Sequence, residues 1–200
     1  MGIDIEKNRK RFIEIFRNTD RDGTDIVINT LDSLGFFEAP ASARHHLAEP
    51  GGLVQHSLNV LEQARGIWQI QKNPCDRLLV GMNSIIVVSL LHDVCKANVY
   101  KVVEKFRKDK DGKWEKYMAY EYDPSDFPLG HGEKSVIMIQ KMGFRLYDDE
   151  IAAIRWHMAG WDLSEYKEAR SSFSAACSQY LLLPILIAAD ELATRITEAC

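Results

Sequence analysis

The sequence predicts an all-α domain with one inserted β-hairpin at about residues 99–122. Apolar residues recur at helical spacing over most of the 200 residues. The exception is a stretch where two runs rich in Val, Tyr, Phe and Trp flank a charged segment that contains Asp-Gly, which is typical of a hairpin. No repeat, low-complexity tract or linker interrupts the chain, and 46% hydrophobic with 27% charged residues is a globular composition. We therefore expect residues 1–200 to form a single domain.

Two short helices are predicted in the N-terminal part. Residues 4–17 place Ile5, Phe12 and Phe16 at helical spacing among charged residues, which predicts an amphipathic helix. A second helix is predicted over 24–35, with Thr24 as a candidate N-cap and Gly35 as its end. The proline- and glycine-containing stretch 39–52 predicts irregular structure.

The middle of the chain predicts two longer helices and then the hairpin. The helices span about 53–71 and 76–97, with Pro74 between them. The hairpin strands are predicted at 99–106 and 113–122, with Asp111-Gly112 in the turn. Three further helices are predicted at about 131–142, 148–160 and 172–198. We expect Pro184 to kink the last one.

Charge and cysteine content limit the classes of function. The net charge of −4 argues against binding to extended duplex DNA, but leaves a small phosphorylated substrate or a nucleic-acid end open as a partner. The cysteines at positions 75, 95, 177 and 200 form no C-x-x-C pair, so we expect reduced thiols. No signal peptide or membrane-spanning segment is visible in the sequence. We therefore expect a cytoplasmic location and no membrane partner. The oligomeric state cannot be predicted from the sequence.

Histidines and acids occur where apolar helices should be buried. His92 and Asp93 follow the apolar run 85–91, and Asp190 follows the apolar run 181–189. A buried carboxylate is costly unless it is paired or bound to a metal. Any one such residue is more often a satisfied hydrogen-bonding group of the core, but their joint occurrence on separate helices favours a shared site. Imidazole and carboxylate donors suit Mn, Fe, Co, Ni and Zn.

The ordered set of these residues resembles a known family. The matching pieces are Gly51–His56, His92–Lys96, Gly130–Gly132 and Asp190. They resemble the HD-domain metal-dependent phosphohydrolases over about residues 40–195, and the small bacterial and phage-associated members above all. The HD domain of 3′-to-5′ exoribonucleases is a more distant likeness. The resemblance implies an HD-domain helical bundle that cleaves phosphoester bonds of a nucleotide, cyclic nucleotide or oligonucleotide end with a metal-activated water.

The resemblance also implies roles for individual residues and a cofactor of one or two divalent transition-metal ions. It assigns a first metal to His56, His92, Asp93 and Asp190, and a second to His131 and His157, with Asp93 bridging the two. Asp93 and Lys96 would be catalytic, and Lys96 would lie near the substrate phosphate. The chain departs from the family pattern at Cys95, which replaces a glycine, and at Trp156, where many two-metal members have a histidine.

Other residues are weaker candidates for substrate binding. They are His45, His46, Lys134 and Arg155, and each has a structural or solvated role as its alternative. The hairpin tyrosines, Tyr117, Tyr120 and Tyr122, could form a lid or stacking wall, or simply pack. Three rival functions remain open at this point: a di-iron oxygenase of the same fold, a non-catalytic metal- or nucleotide-binding regulatory module, and a helical domain whose polar residues pair without metal.

Overall fold

The computed structural model describes residues 2–72, 80–123, 127–161 and 166–199. Within these ranges the chain is mostly helical, with one two-stranded antiparallel sheet, so the prediction of helices with an inserted hairpin is confirmed at that level. The helices are α1 Ile5–Arg17, α2 Thr24–Ser33, α3 Gly52–Lys72, α4 Met82–Leu91, α5 His131–Lys141, α6 Asp148–Trp156, α7 Lys167–Gln179 and α8 Leu182–Leu192. Shorter helical turns occupy Val94–Asn98, Ala159–Trp161 and Ala193–Thr197.

The helices α1 and α2 form as predicted, and their apolar faces join one core. Phe12 and Phe16 of α1 are fully buried, and the Phe12 ring lies 5.4 Å from both Phe36 and Phe37. The Thr24 N-cap prediction is wrong, because Gly23 takes the cap position with φ of +86°. The Thr24 hydroxyl instead donates to the carbonyl of Arg21 at 2.6 Å.

The helix α4 is the centre of the domain. Every residue from Ile85 to Leu91 is buried, and the helix packs against α1, α3, α6 and α8. The predicted helix at 76–97 is too long: α4 begins at Met82, and most of the segment before it, 73–79, lies outside the described residues. At its other end α4 stops at Leu91, and a separate 3-10 turn follows at Val94–Asn98. His92 and Asp93 thus lie between the end of helix α4 and the 3-10 turn, deep in the core.

The predicted hairpin is present, with slightly different bounds. Strand β1 is Tyr100–Lys108 and strand β2 is Trp114–Tyr122, paired from Tyr100 opposite Tyr122 to Lys108 opposite Trp114. In the turn, the Asp109 carboxylate accepts from the backbone N–H groups of Asp111 and Lys113 at 2.9 and 2.8 Å. Gly112 adopts φ of +79°, which other residues rarely tolerate, so the Asp-Gly signal identified this turn correctly.

The C-terminal part differs from the prediction. Instead of one kinked helix at 172–198, α7 ends at Gln179, Tyr180 is extended, and α8 leaves at 100° to α7. Pro184 does not kink a helix: it is the third residue of α8, where its missing N–H would have no partner within the helix. The predicted helix at 148–160 also ends early, at Trp156, and Ala159 has φ of +46°.

Two further expectations concern the membrane and the thiols. No single helix in the described part of the chain is both long and apolar enough to cross a bilayer, although α7 with α8 passes by length and composition as a bent pair. Cys95 and Cys177 are free thiols, as expected, whereas Cys75 and Cys200 lie outside the described residues.

Candidate metal centre

Six predicted ligands converge from five helical elements onto the end of α4. His56 comes from the first turns of α3, and Asp190 comes from α8. His92 and Asp93 follow α4, His131 opens α5, and His157 follows the last residue of α6. The close approach of α5 to α6 depends on Gly132, because a Cβ there would lie 2.5 Å from the carbonyl oxygen of Ile154.

Asp93 lies at the centre of the cluster, and its two oxygens face different partners. Oδ2 is 3.4 Å from Nε2 of His92 and 3.6 Å from Nε2 of His56. Oδ1 is 3.2 Å from Nε2 of His131 and 3.5 Å from Nε2 of His157. One carboxylate therefore joins two groups of donors. Asp190 completes the first group, with Oδ1 3.2 Å from Nε2 of His56.

Hydrogen bonds at Nδ1 fix the orientation of the His92 and His157 rings. Nδ1 of His92 lies 3.0 Å from the carbonyl of Ser89, and Nδ1 of His157 lies 2.7 Å from the carbonyl of Ile154. A carbonyl only accepts, so in both rings Nδ1 carries a proton, which leaves Nε2 as the nitrogen that faces the cluster and can bind a metal. Such a bond to the outer nitrogen is usual for histidines that bind metals.

Several inward-facing atoms have no hydrogen bond. Oδ1 of Asp93 lies 3.2 and 3.5 Å from Nε2 of His131 and of His157, but these three buried atoms are not aligned for hydrogen bonds with each other or with any other described residue. Buried polar atoms are almost always satisfied, so three at one point call for another partner. Nε2 of His92 and Nε2 of His56, by contrast, lie 3.3 Å apart and form a hydrogen bond with each other.

The donor set fits a divalent transition metal. Ligand atoms lie within 4.8 Å of one another in two sets built from the predicted ligands, His56 with His92 and Asp190, and His92 with Asp93 and His157. A third set joins Asp93 and His131 to the thiol of Cys95, which was not predicted as a ligand. A cation between such atoms would satisfy the lone pairs and the carboxylate charge together. These buried groups can therefore hold a metal ion, and nitrogen and oxygen donors alone do not select which one.

When no metal is bound, protons on the histidines balance part of the carboxylate charge. Burial would lower the pKa of His56, but hydrogen bonds to Asp190 and Glu198 outweigh it and raise the pKa to about 9. Burial likewise opposes protonation of His131, but the Asp93 carboxylate raises its pKa to about 10. The pKa of Asp93 lies well below its usual value, because Lys96 and the surrounding histidines outweigh the cost of burying its charge.

Three side chains of the cluster, those of His131, Asp190 and Lys96, are partly exposed to solvent, and we call them its open side. The side chains of His56, His92, Asp93 and His157 are at most 2% exposed, whereas those of His131 and Asp190 are 22% and 20% exposed. Lys96 is 11% exposed, and its Nζ lies 2.6 Å from Oδ2 of Asp93. A ligand would therefore approach between His131, Asp190 and Lys96.

The four weaker candidates for substrate binding differ in how close they lie to the cluster and in what they contact. His46 lies beside the cluster, with its ring 5.1 Å from that of His56. His45 is exposed, and its backbone N–H donates to Ser42. Arg155 pairs with Glu133 at 2.6 Å and stacks on Trp156, so its charge is already partly neutralised. Lys134 is buried on α5, one turn after His131.

The sequence interpretation missed Glu198. Its carboxylate lies 3.0 and 3.2 Å from Nδ1 of His56, accepts from the Nδ2 amide of Asn59 at 3.0 Å, and is 1% exposed. Glu198 thus orients His56 as backbone carbonyls orient His92 and His157. It is 142 residues from His56 in the chain, and no local pattern marks it.

Comparison of the chain with protein-family models, with curated proteins and with solved structures gives no match. The case for a function therefore depends on the chemistry of the cluster around Asp93.

Proposed function

We propose that the protein is a metal-dependent phosphohydrolase of the HD type, which binds one or two divalent transition-metal ions around Asp93. The observation that carries the proposal is the position of Asp93 between two pairs of histidines. Each of its carboxylate oxygens faces the Nε2 atoms of a different pair. Three of the atoms involved are buried without hydrogen bonds. Because buried polar atoms are almost always satisfied, this arrangement favours a ligand between them.

In this proposal His56, His92, Asp93 and Asp190 hold one ion, and His131 and His157 hold a second one with Asp93. A bound divalent ion lowers the pKa of a water and neutralises charge on phosphoryl oxygens. Hydrolysis forms a bond from the water oxygen to phosphorus and breaks the ester P–O bond, and the leaving oxygen takes up a proton.

The residues at the open side perform the remaining work. Asp93 also accepts a hydrogen bond from the attacking water and orients it, because each carboxylate oxygen has a second lone pair besides the one that faces a metal. Lys96, held 2.6 Å from Asp93, places an ammonium group where a phosphoryl oxygen enters. Burial of the cluster keeps these interactions strong, because bulk water does not screen them.

The decisive experiment has two steps on the same preparation. Metal content is measured first on protein purified without chelators. Hydrolysis of phosphomonoesters, nucleotides, cyclic nucleotides and short RNA is then measured with Mn²⁺, Fe²⁺, Co²⁺, Ni²⁺ or Zn²⁺. Asp93→Asn is the test variant, and Asp25→Asn, an exposed acid on α2, is the matched control.

Metal-dependent release of phosphate or nucleotide that Asp93→Asn abolishes and Asp25→Asn retains would support the proposal. Bound metal without turnover would refute it in favour of a binding module, or of an oxygenase if the iron form consumes oxygen. Protein that binds none of the five metals would leave only a polar cluster in a helical core.

A further inference from the structure

The two faces of the hairpin differ in a way that packing does not explain. Paired residues of antiparallel strands lie on the same face of a sheet. From Tyr100 opposite Tyr122 to Lys108 opposite Trp114, the register therefore places all even-numbered residues of both strands on one face. Five large hydrophobic side chains on that face are exposed, namely Val102, Phe106, Trp114, Met118 and Tyr122. We call these even-numbered residues the aromatic face.

This arrangement reverses the usual one. The opposite face carries Val103, Tyr117 and Ala119, which are half-buried, so the larger apolar surface points to solvent. The hairpin holds five of the thirteen exposed large hydrophobic side chains among the described residues. Exposed apolar groups concentrated in this way mark a binding surface.

The aromatic face begins at the metal centre. Tyr100 follows Lys96 by four residues and packs against Tyr122, with ring centroids 6.1 Å apart. Strand β1 also packs against the 3-10 turn Val94–Asn98, which carries Lys96. From there β1 extends eight residues to Lys108, about 27 Å at the rise of an antiparallel strand. A ligand bound along the face would have one end at the open side of the cluster.

Charges on the hairpin indicate the chemistry of that ligand. Between Tyr100 and Tyr122 there are seven Lys and Arg residues against five Asp and Glu residues, in a chain of net charge −4. On the aromatic face, Lys108 lies 5.5 Å above the Trp114 ring, and Lys116, paired with Glu104, stands opposite Phe106. Lys110 and Lys113 are exposed at the tip. Aromatic rings interleaved with cations are the combination that binds single-stranded nucleic acid, through base stacking and phosphate contacts.

We propose that the aromatic face is a stacking platform for single-stranded nucleic acid, which leads one end of the strand to the metal centre. The inference rests on the proposed phosphohydrolase function and names its substrate class as an oligonucleotide. A second copy of the chain is the less favoured occupant, since packing two aromatic faces together would bury the charges of Glu104, Lys108 and Lys116.

Binding is tested apart from catalysis. Anisotropy of fluorescein-labelled oligo(A) RNA and oligo(dT) is measured in the presence of EDTA, so that no turnover occurs. The test variant is Phe106→Ala with Trp114→Ala, and the matched control is Ile26→Ala with Ile70→Ala, two equally exposed apolar residues on α2 and α3. We expect the affinity of the test variant to fall about 5- to 150-fold for each ring removed, with the control unchanged.

Two further measurements separate the outcomes. Turnover of a small phosphomonoester should be the same in the test variant and in wild type, because neither ring is in the metal centre. Oligonucleotide binding that depends on the two rings supports the platform even if no phosphoester is hydrolysed. Hydrolysis of small phosphoesters without oligonucleotide binding by wild type would overturn the platform and leave the phosphohydrolase standing. A wild-type dimer that the test variant converts to monomer in light scattering would also overturn it, because the face would then cover a second copy.

Discussion

Removal of the Glu198 carboxylate should weaken metal binding without touching a metal ligand. Glu198 holds Nδ1 of His56 at 3.0 Å, is itself held by Asn59, and is 1% exposed. An oriented and more basic imidazole binds a metal more tightly, and loss of such an outer partner typically costs about 10- to 100-fold in affinity. Because Gln keeps one acceptor oxygen but no charge, we expect Glu198→Gln at the lower end of this range and Glu198→Ala at the upper end.

The assay is competition for Mn²⁺ or Zn²⁺ against a chromophoric chelator, followed by calorimetry. Glu191→Gln is the control, because Glu191 lies nearby on α8 but is 52% exposed and pairs with Arg195. Melting curves of the metal-free variants show whether they fold, since Glu198→Ala leaves the buried Nδ1–H of His56 unpaired, at about 1–3 kcal/mol. Metal affinity of folded Glu198→Ala equal to that of wild type would refute the argument that His56 is oriented for a metal.

Three further predictions address stability and pH. Arg21→Ala should lower the free energy of unfolding, measured in urea, by about 3–5 kcal/mol, because it leaves the fully buried carboxylate of Glu150 without its cation. Arg17→Ala removes an exposed ion pair with Asp25 and should cost about 0–1 kcal/mol. Equal losses in the two variants would contradict this prediction. Gly132→Ala should separate α5 from α6 and lower both the melting temperature and metal affinity, and an unchanged melting temperature would contradict the close approach. In EDTA, the pKa of His131 is about 10 in the folded protein and about 6.5 in the unfolded chain. The protonated side chain therefore stabilises the fold fully below about pH 6.5, and this contribution is lost as the pH rises to about 10. A His131→Asn variant should therefore lose less of its melting temperature than wild type over that interval, and parallel curves would contradict the pKa shift.

The elements that follow from local patterns were predicted well. The helix α1 and the hairpin agree with prediction to within a few residues, because apolar periodicity and an Asp-Gly turn are properties of the segment itself. The break between α7 and α8 was not predicted, since Tyr180 carries no helix-ending signal and Pro184 suggested a kink at the wrong place. This bend depends on how α8 packs against α3 and α6, which is a tertiary effect.

The candidate site was predictable only in part, for the same reason. Buried polar residues after apolar runs pointed to His92, Asp93 and Asp190, and the structure brings them together with the other three histidines predicted as ligands. Nothing near Glu198 in the sequence indicates that it reaches His56. Conversely, Arg155 was a candidate because it neighbours His157, but its pairing with Glu133 depends on a contact between α5 and α6.

In the proposed function, the attachment of the hairpin lets the preference for ligands change independently of the metal site. The two strands leave and rejoin the domain at Tyr100 and Tyr122, whose rings are in contact, so the segment between them closes on itself. Its length or sequence can change without moving the helices that carry the histidines and acids, because segments with adjacent ends tolerate replacement. Under the two proposals made above, the hairpin is an exchangeable segment beside a fixed metal-binding cluster. Transplanting it between domains of this architecture is then expected to transfer the preference for ligands while the helices stay unchanged.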